Sequence, residues 1–437
     1  MRPDPLAGLR AVVSPYGLVG KTGVCAGPHG IPVASGSLGE LGEVLPHLAG
    51  RRRSLAAEGN FDGAGGDLDP DRAELLSVAE SVERYSALAV RDEALVFASA
   101  DELGTDAVAP AEWPRASAAE FAVPNCPLTE PDGTDRIRWV RAWSLTHARP
   151  RYVPARLVWL GLPPRCPAEL FTLGNPSGSA AHTDYPRAVL AGLLEVVERD
   201  ALMLAWLHRL RLPRLDVRPD DLPESLRPYL DRSRAAGLET RVFDATTDFG
   251  VPVFFALQLA DRDPLLAQLV CTTAGLDPAA AVAKAYRELA MLRVALQANA
   301  PADLAQAPAD GVCGGAYRSG APEARGQFDF LLRGPRPLRT LAELPVPSSD
   351  DPVRQLDWAV ARLRARGAEA LAVDITSVEA RAAGAVVVKV LVPQAVPLSF
   401  GTGVRMLATP RLHTAPVAMN HPARSEAAFN PHPQPMA

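Results

Sequence analysis

Three stretches of the chain repeat apolar residues at intervals of three and four, and each opens on an aspartate followed within two positions by proline. They are "DRAELLSVAESVERYSALAVR" (71–91, preceded by "DLDP"), "DYPRAVLAGLLEVVERDALMLAWLHRL" (184–210) and "DPAAAVAKAYRELAMLRVALQ" (277–297). The spacing puts the apolar residues on one helical face, and a capping Asp with an early Pro marks a helix start, so three long helices are predicted. Between them "RYVPARLVWL" (151–160), "TRVFDATTD" (240–248), "VPVFFALQLAD" (251–261), "EALAVDITS" (369–377) and "AVVVKVLVP" (385–393) alternate or run continuously apolar, which predicts strands. Interleaved helices and strands predict a mixed α/β (α+β) fold. Residues 301–327, rich in Pro, Gly and Ala and without a period, predict a long surface connection or mobile insertion. The ending "HPARSEAAFNPHPQPMA" (421–437) has prolines too closely spaced for a helix and predicts an extended arm.

The first two helices share a device. Glu80, Glu83 and Arg84 form E-x-x-E-R, and Glu195, Glu198 and Arg199 repeat it 115 positions later. Residues three apart face the same way, so each helix carries a pair of like charges that is mildly unfavourable in isolation. A solvated helix face would explain one copy. Two copies, both set among apolar residues, point instead to carboxylates gathered in a partly buried place that needs protons or cations. An all-oxygen acidic cluster suits Mg2+, commonly held by one or two carboxylates together with substrate phosphates, and Arg84 and Arg199 would then meet phosphate oxygens. The match between the copies covers about ten residues, too few for a full internal duplication.

Composition narrows the field. The 437 residues are 48% hydrophobic and 22% charged, which is globular, and could hold up to three average domains. The formal charge of −5 and a pI of about 6.0 give no general attraction to nucleic acid or anionic membrane. No uncharged run has the length of a membrane span, which leads to the expectation of a soluble, cytoplasmic protein. The five cysteines are scattered without a C-x-x-C pair, so buried thiols are expected. "GLVGKT" (17–22) hints at a phosphate loop, but Pro15 stands where that loop's first Gly belongs. H-E-x-x-H and G-x-S-x-G are absent.

With these residues in hand the chain resembles the YcaO family, ATP-using enzymes that act on peptide backbone amides, and within it the azoline-forming cyclodehydratases of thiazole/oxazole-modified peptide pathways. The resemblance rests on "SVAESVERYSA", "PSGSAAHTDYPRAVLAGLLEVVERDAL", "VFDATTDFGVPV", "DPAAAVAKAYRELAMLR", "VVVKVLVPQAVPLSFG" and "NPHPQP", which run in order from about residue 10 to the end. It implies an N-terminal part over 1–60, an ATP-binding domain over 61–420 with an insertion at 301–327, and the arm at 421–437. It implies Mg2+ on Glu80, Glu83, Glu195 and Glu198, with Arg84 and Arg199 near the ATP phosphates. Ser77 matches the family's S-x-x-E-x-x-E-R, although a serine bonding back into its own helix explains it as well. Ser177 and Ser179 in "SGSAAHT" would approach the nucleotide, as would Lys284 and Glu288 on the third helix.

The implied reaction is cyclodehydration. A Cys, Ser or Thr side chain of a ribosomally made precursor peptide attacks the preceding carbonyl, ATP phosphorylates the oxyanion, and phosphate leaves to give a thiazoline or oxazoline. Pro431, Pro433 and Pro435, ending at Ala437, resemble the proline-spaced terminus that reaches the active site in this branch; a disordered tail is the plain alternative. Three departures stand out. Met291 holds a place usually taken by Gln, Gly66 and Asp67 stand where a glycine turn commonly carries Lys, and Met436 and Ala437 extend past the last matching proline. The chain is expected to begin within the domain, which implies a separate E1-like or leader-binding partner, and a homodimer is also compatible. Thioamide formation and a degenerate peptide- or partner-binding scaffold are the alternatives.

Overall fold

The computed structural model describes residues 6–27, 30–48, 62–301, 311–334, 337–400 and 403–437. The three long helices span Pro70–Leu88, Tyr185–His208 and Pro278–Ala298. Each is capped as its sequence indicates: Asp69 accepts from the Asp71 N–H, Asp184 from Arg187, and Asp277 from both Ala279 and Ala280. A side-chain oxygen there satisfies donors that have no partner inside the helix.

Three sheets separate the helices. β1 (Lys21–Ala26), β2 (Pro32–Ser37) and β3 (Gly63–Gly66) form the first, in that order and antiparallel. The second opens with β4 (Leu95–Ala98), β5 (Ile137–Ser144), β6 (Arg149–Pro154) and β7 (Ser179–His182). The third comprises β8 (Arg214–Leu215), β9 (Glu239–Asp244), β10 (Val253–Leu259), β11 (Gln268–Ala274) and β12 (Leu338–Arg339), ordered β11-β10-β9-β8-β12. β13 (Leu371–Asp374) and β14 (Val386–Leu391) then complete the second sheet in the order β4-β5-β13-β14-β7, with β6 on β5.

Helices and sheets alternate around a ring. The first helix packs on β3 and β2 on one side and on β7 and β14 on the other; the second lies between β14 and β7 and the third sheet's β11 and β10; the third covers β11 and β10 and returns to β3. Strands β10 and β11, sandwiched between two helices, are buried at every position, which is why their sequences read as continuous apolar runs. The approach of β3 to the first helix depends on glycine. A Cβ on Gly63 would stand 2.1 Å from the Ser77 carbonyl oxygen, and one on Gly65 2.1 Å from that of Ala73.

Several expectations change. The "RYVPARLVWL" run is a strand only to Pro154, after which Ala155–Leu157 turn as a 3-10 helix. "GLVGKT", already unlike a phosphate loop at Pro15, leads into strand β1 rather than a helix. Part of the 301–327 segment, 302–310, lies outside the described residues. The remainder is no open connection: Gly314–Gly320 is a helix with Ala316 and Tyr317 buried, because its small residues admit another chain segment at close range. That segment is the arm, and a Cβ on Gly315 would be 2.0 Å from the Gln434 carbonyl oxygen. As the boundary at residue 60 within one domain implies, β1 pairs with β2 and β2 with β3, so one sheet joins strands from before and after that position. Among the described residues no helix is long and apolar enough to cross a membrane.

Candidate functional site

The first carboxylate of each repeat is held the same way. Glu80 accepts from Arg84 Nη2 at 2.9 Å and from the Ala64 N–H of β3 at 2.9 Å. Glu195 accepts from Arg199 Nη2 at 3.1 Å and from the Gly178 N–H, just before β7, at 3.0 Å. In each case an arginine one turn on and the strand packed against the helix supply the donors.

The second carboxylates differ. Glu198, 4% exposed, accepts from Arg199 Nη1 at 2.6 Å, the Thr272 hydroxyl at 3.2 Å and the Ala274 N–H at 3.0 Å, the last two from β11. Burial raises its proton affinity, while Arg199 and Lys284 pull it back down. Glu83 has Arg84 Nη1 3.9 Å away, beyond hydrogen-bond reach. Burial lifts its carboxyl to about 8; Arg84 opposes the shift and Glu195 and Glu80 add to it.

Between the two helices stands Lys389 of β14, 1% exposed, donating to the backbone carbonyls of Asn175 (2.6 Å) and Ser177 (2.7 Å). Burial depresses its ammonium to about 8 against the pull of Glu195 and Glu83. Sequence reasoning does not single out Lys389, although its signal is plain: a single charge inside "AVVVKVLVP". A strand buried on both faces does not carry a lysine without partners.

The ring continues onto the third helix. Lys284 and Glu288 pair at 3.4 Å, Glu288 raising the lysine's proton affinity, and both act electrostatically on Glu198. The Cys271 thiol of β11 donates to Glu288 at 3.4 Å, and burial pushes that thiol up. Two of the three family-pattern departures then meet in one contact. A Cβ on Gly66 would lie 2.5 Å from Met291 Cγ and 2.6 Å from its Sδ, so the thioether fills the space that a longer residue 66 would occupy. Asp67 faces Arg287 at 3.8 Å.

The other predicted residues divide between the site and the core. Ser77 is fully buried beneath β3 and donates to the Glu74 carbonyl at 2.8 Å, so it bonds into its own helix and does not face the opening. The Ser177 and Ser179 hydroxyls are buried and, like Arg199 Nε, have no hydrogen-bond partner among the described residues. The four glutamates do not converge on one point. Among the described residues no three His, Cys, Asp or Glu side chains are grouped to hold a metal, because Glu80, Glu195 and Glu198 are turned onto arginines and backbone donors. Arg84 and Arg199 are likewise engaged within their own helices rather than free for phosphate.

The arm does reach this region. Trp206 Nε1 donates to the His432 carbonyl at 3.0 Å, Pro433 and Pro435 are buried, and Pro431 stays exposed. Gln434 folds onto Met436, its amide donating to the Met436 carbonyl and accepting from the Met436 N–H, both at 2.8 Å. The Met436 sulfur then sits 3.2 Å from Arg199 Nη1 and 3.5 Å from the Thr272 hydroxyl. Ala437 packs beside the third helix, with Leu289 and Leu296. Thus Met436 brings the arm into contact with Arg199 of the second E-x-x-E-R.

In this arrangement only some of the donors are left for a divalent cation with an anionic ligand, and Glu80, Glu195 and Glu198 would have to exchange their present arginine and backbone donors for it. Glu83 is a part-buried carboxyl whose one arginine lies beyond hydrogen-bond reach, and the buried Ser177 and Ser179 hydroxyls and Arg199 Nε lack partners among the described residues.

Comparison with known proteins agrees with that chemistry. An uncharacterised protein of Methanothermobacter thermautotrophicus is 34% identical over 174 residues, 38% of this chain and 44% of that one. A heterocyclase solved in complex with substrate and cofactor superposes with a TM-score of 0.81 at 25% identity, covering 99% of this chain and 57% of its own. YcaO from Methanopyrus kandleri, bound with AMPPCP and Mg2+, shares the fold at a TM-score of 0.61 and 23% identity, over 86% of each chain. The chain therefore spans under half of the first relative's length and little more than half of the heterocyclase's. The family model for the YcaO cyclodehydratases, described as ATP- and Mg2+-binding, matches residues 64–396, and this chain belongs to that family.

Proposed function

We propose that the protein uses Mg2+ and ATP to cyclodehydrate Cys, Ser or Thr residues of a ribosomally synthesised precursor peptide, giving thiazoline or oxazoline rings. The observation that carries the reading is the under-compensated Glu83 carboxyl, within electrostatic reach of Glu195 and Lys389, together with the unpartnered hydroxyls of Ser177 and Ser179 at the turn that Lys389 holds. Family membership supplies the reaction class. An amide oxygen is a very poor leaving group, and ATP, when bound with its metal, supplies the phosphoryl group that makes it a good one.

The chain's own groups would divide the work. Glu80, Glu83 and Glu195 would hold the metal, and Glu198, gripped by Arg199, Thr272 and Ala274, would anchor the set. Arg84, Arg199, Ser177 and Ser179 would face phosphate oxygens, and Lys284 with Glu288 would border the site. Lys389 would orient the 175–177 turn through two carbonyls while offsetting charge between the helices. The arm ending Pro433–Ala437 would close the site. An E1-like or leader-binding partner would present the peptide.

The test is calorimetry of Mg2+-dependent ATP binding by the wild type and by Glu83→Gln at matched folded fractions. Loss of roughly 10- to 100-fold in nucleotide affinity is expected for the variant. No magnesium-dependent binding by folded wild type would remove the proposal. Robust leader binding and turnover by the chain alone would remove the partner.

A further inference from the structure

A cavity of about 620 Å3 opens beside the repeats, and its walls are unlike the site next to it. Trp113, Leu157, Leu173, Val392, Leu398 and Phe400 line it with apolar surface. Even the Trp113 indole is satisfied elsewhere, donating to the Val108 carbonyl at 3.1 Å, so the ring presents only carbon to the cavity. At one end the character changes: Asn175, Ser177, Arg199 and Lys389 belong both to the cavity wall and to the region of the repeats. A second feature points to an occupant. Ser399 lines the cavity, is 8% exposed, and its hydroxyl has no partner among the described residues. A buried hydroxyl without a partner costs free energy that a bound ligand's polar atom would recover.

We infer that this cavity receives an apolar side chain of the substrate peptide, next to the residue whose amide reaches Arg199 and Lys389, with Ser399 hydrogen-bonding the peptide backbone. The inference rests on the proposed function and adds a substrate preference to it. The apolar walls offer no counter-charge, so a charged side chain lying against them would lose its hydration without compensation. A cationic one would also meet Arg199 and Lys389 at the inner end. An aliphatic or aromatic side chain exchanges water for carbon contact and leaves the backbone amide at the polar end.

The probes are capped pentapeptides, acetyl-Gly-X-Cys-Gly-Gly-amide with X as Leu, Phe, Gly or Lys, titrated into the full chain with and without Mg2+ and a non-hydrolysable ATP analogue. The Leu and Phe peptides are expected to bind about tenfold tighter than the Gly peptide, with Lys weakest. Ala395→Trp, which places a bulky ring in the cavity wall, should erase that order while the nucleotide affinity stays. Ser399→Ala, which only removes a hydroxyl and so should fold, is expected to weaken the Leu peptide by roughly threefold to tenfold. Equal binding of the four peptides, or none, overturns the inference. So does an Ala395→Trp protein that loses nucleotide as strongly as peptide, which would give the cavity to the nucleotide. If the wild type binds no nucleotide, the proposed function falls, and the Leu-to-Lys discrimination still decides the cavity.

Discussion

The two E-x-x-E-R copies use the same residues and reach different ends. In both, the first glutamate takes an arginine one turn on and a backbone N–H from the segment before its helix, in β3 for Glu80 and just ahead of β7 for Glu195. The second glutamate depends on the layer above it. β11 covers Glu198 and brings the Thr272 hydroxyl and the Ala274 N–H, whereas among the described residues no such donor reaches Glu83, which keeps a distant arginine and a carboxyl shifted to about 8. Local sequence sets which groups a helix offers; the neighbouring sheet decides whether an offered charge is already answered or still needs a ligand. On the proposed function, the Glu198 copy would be the anchor and the Glu83 copy the responsive half.

The sharpest way to break this comparison is Glu198→Ala, which removes the buried acceptor shared by Arg199, the Thr272 hydroxyl and the Ala274 N–H. A loss of about 3–5 kcal/mol in denaturant unfolding is expected. A loss under about 1 kcal/mol, within the range of a surface ion pair, would mean that Glu198 is no more embedded than an exposed residue.

A smaller effect should separate the two backbone cradles. Gly178, at φ +85°, would bring a Cβ to 2.2 Å from the Val390 carbonyl oxygen, while Ala64 already carries one. Gly178→Ala should cost about 1–3 kcal/mol and displace the N–H that Glu195 accepts. Ala64→Gly, at the matching position, should cost about 1 kcal/mol or less. Equal costs would make the cradles equivalent.

The smallest effect is a slope with pH in the metal-free protein. Because Glu83 titrates at about 8 in the fold against an ordinary 4.5, the folded chain holds a proton that the unfolded chain has released between those values. Stability should then fall as pH rises through that window. Lys389 acts oppositely: with a folded value of about 8 against 10.5, the unfolded chain holds the extra proton above pH 8, and stability should rise there. Glu83→Gln should flatten the fall and spare the rise, read from denaturation midpoints across pH. An unchanged fall would place the proton elsewhere.

Legibility followed the range of the interaction. The three long helices and their Asp caps were readable because capping and period act within a few residues, and the repeated E-x-x-E-R because helical spacing alone aligns Glu80 with Glu83 and Glu195 with Glu198. The first sheet was not readable. β3 is "GAGG", without apolar alternation, and exists because its glycines let it lie against the first helix's backbone. Lys389 left a trace as one charge in an apolar strand, but the Asn175 and Ser177 carbonyls that hold it lie more than 200 positions away.

What the sequence determined by itself was the inventory: helices with paired carboxylates, a turn with hydroxyls, a proline-spaced arm, and the family to which they belong. Tertiary structure alone decided that Ser77 turns inward, that Met436 touches Arg199, that Met291 fills the space over Gly66, and that Glu83 and not Glu198 is left under-compensated. Periodicity and capping are short-range and written residue by residue, whereas burial and partner geometry come from segments that meet only when the sheets close around the helices.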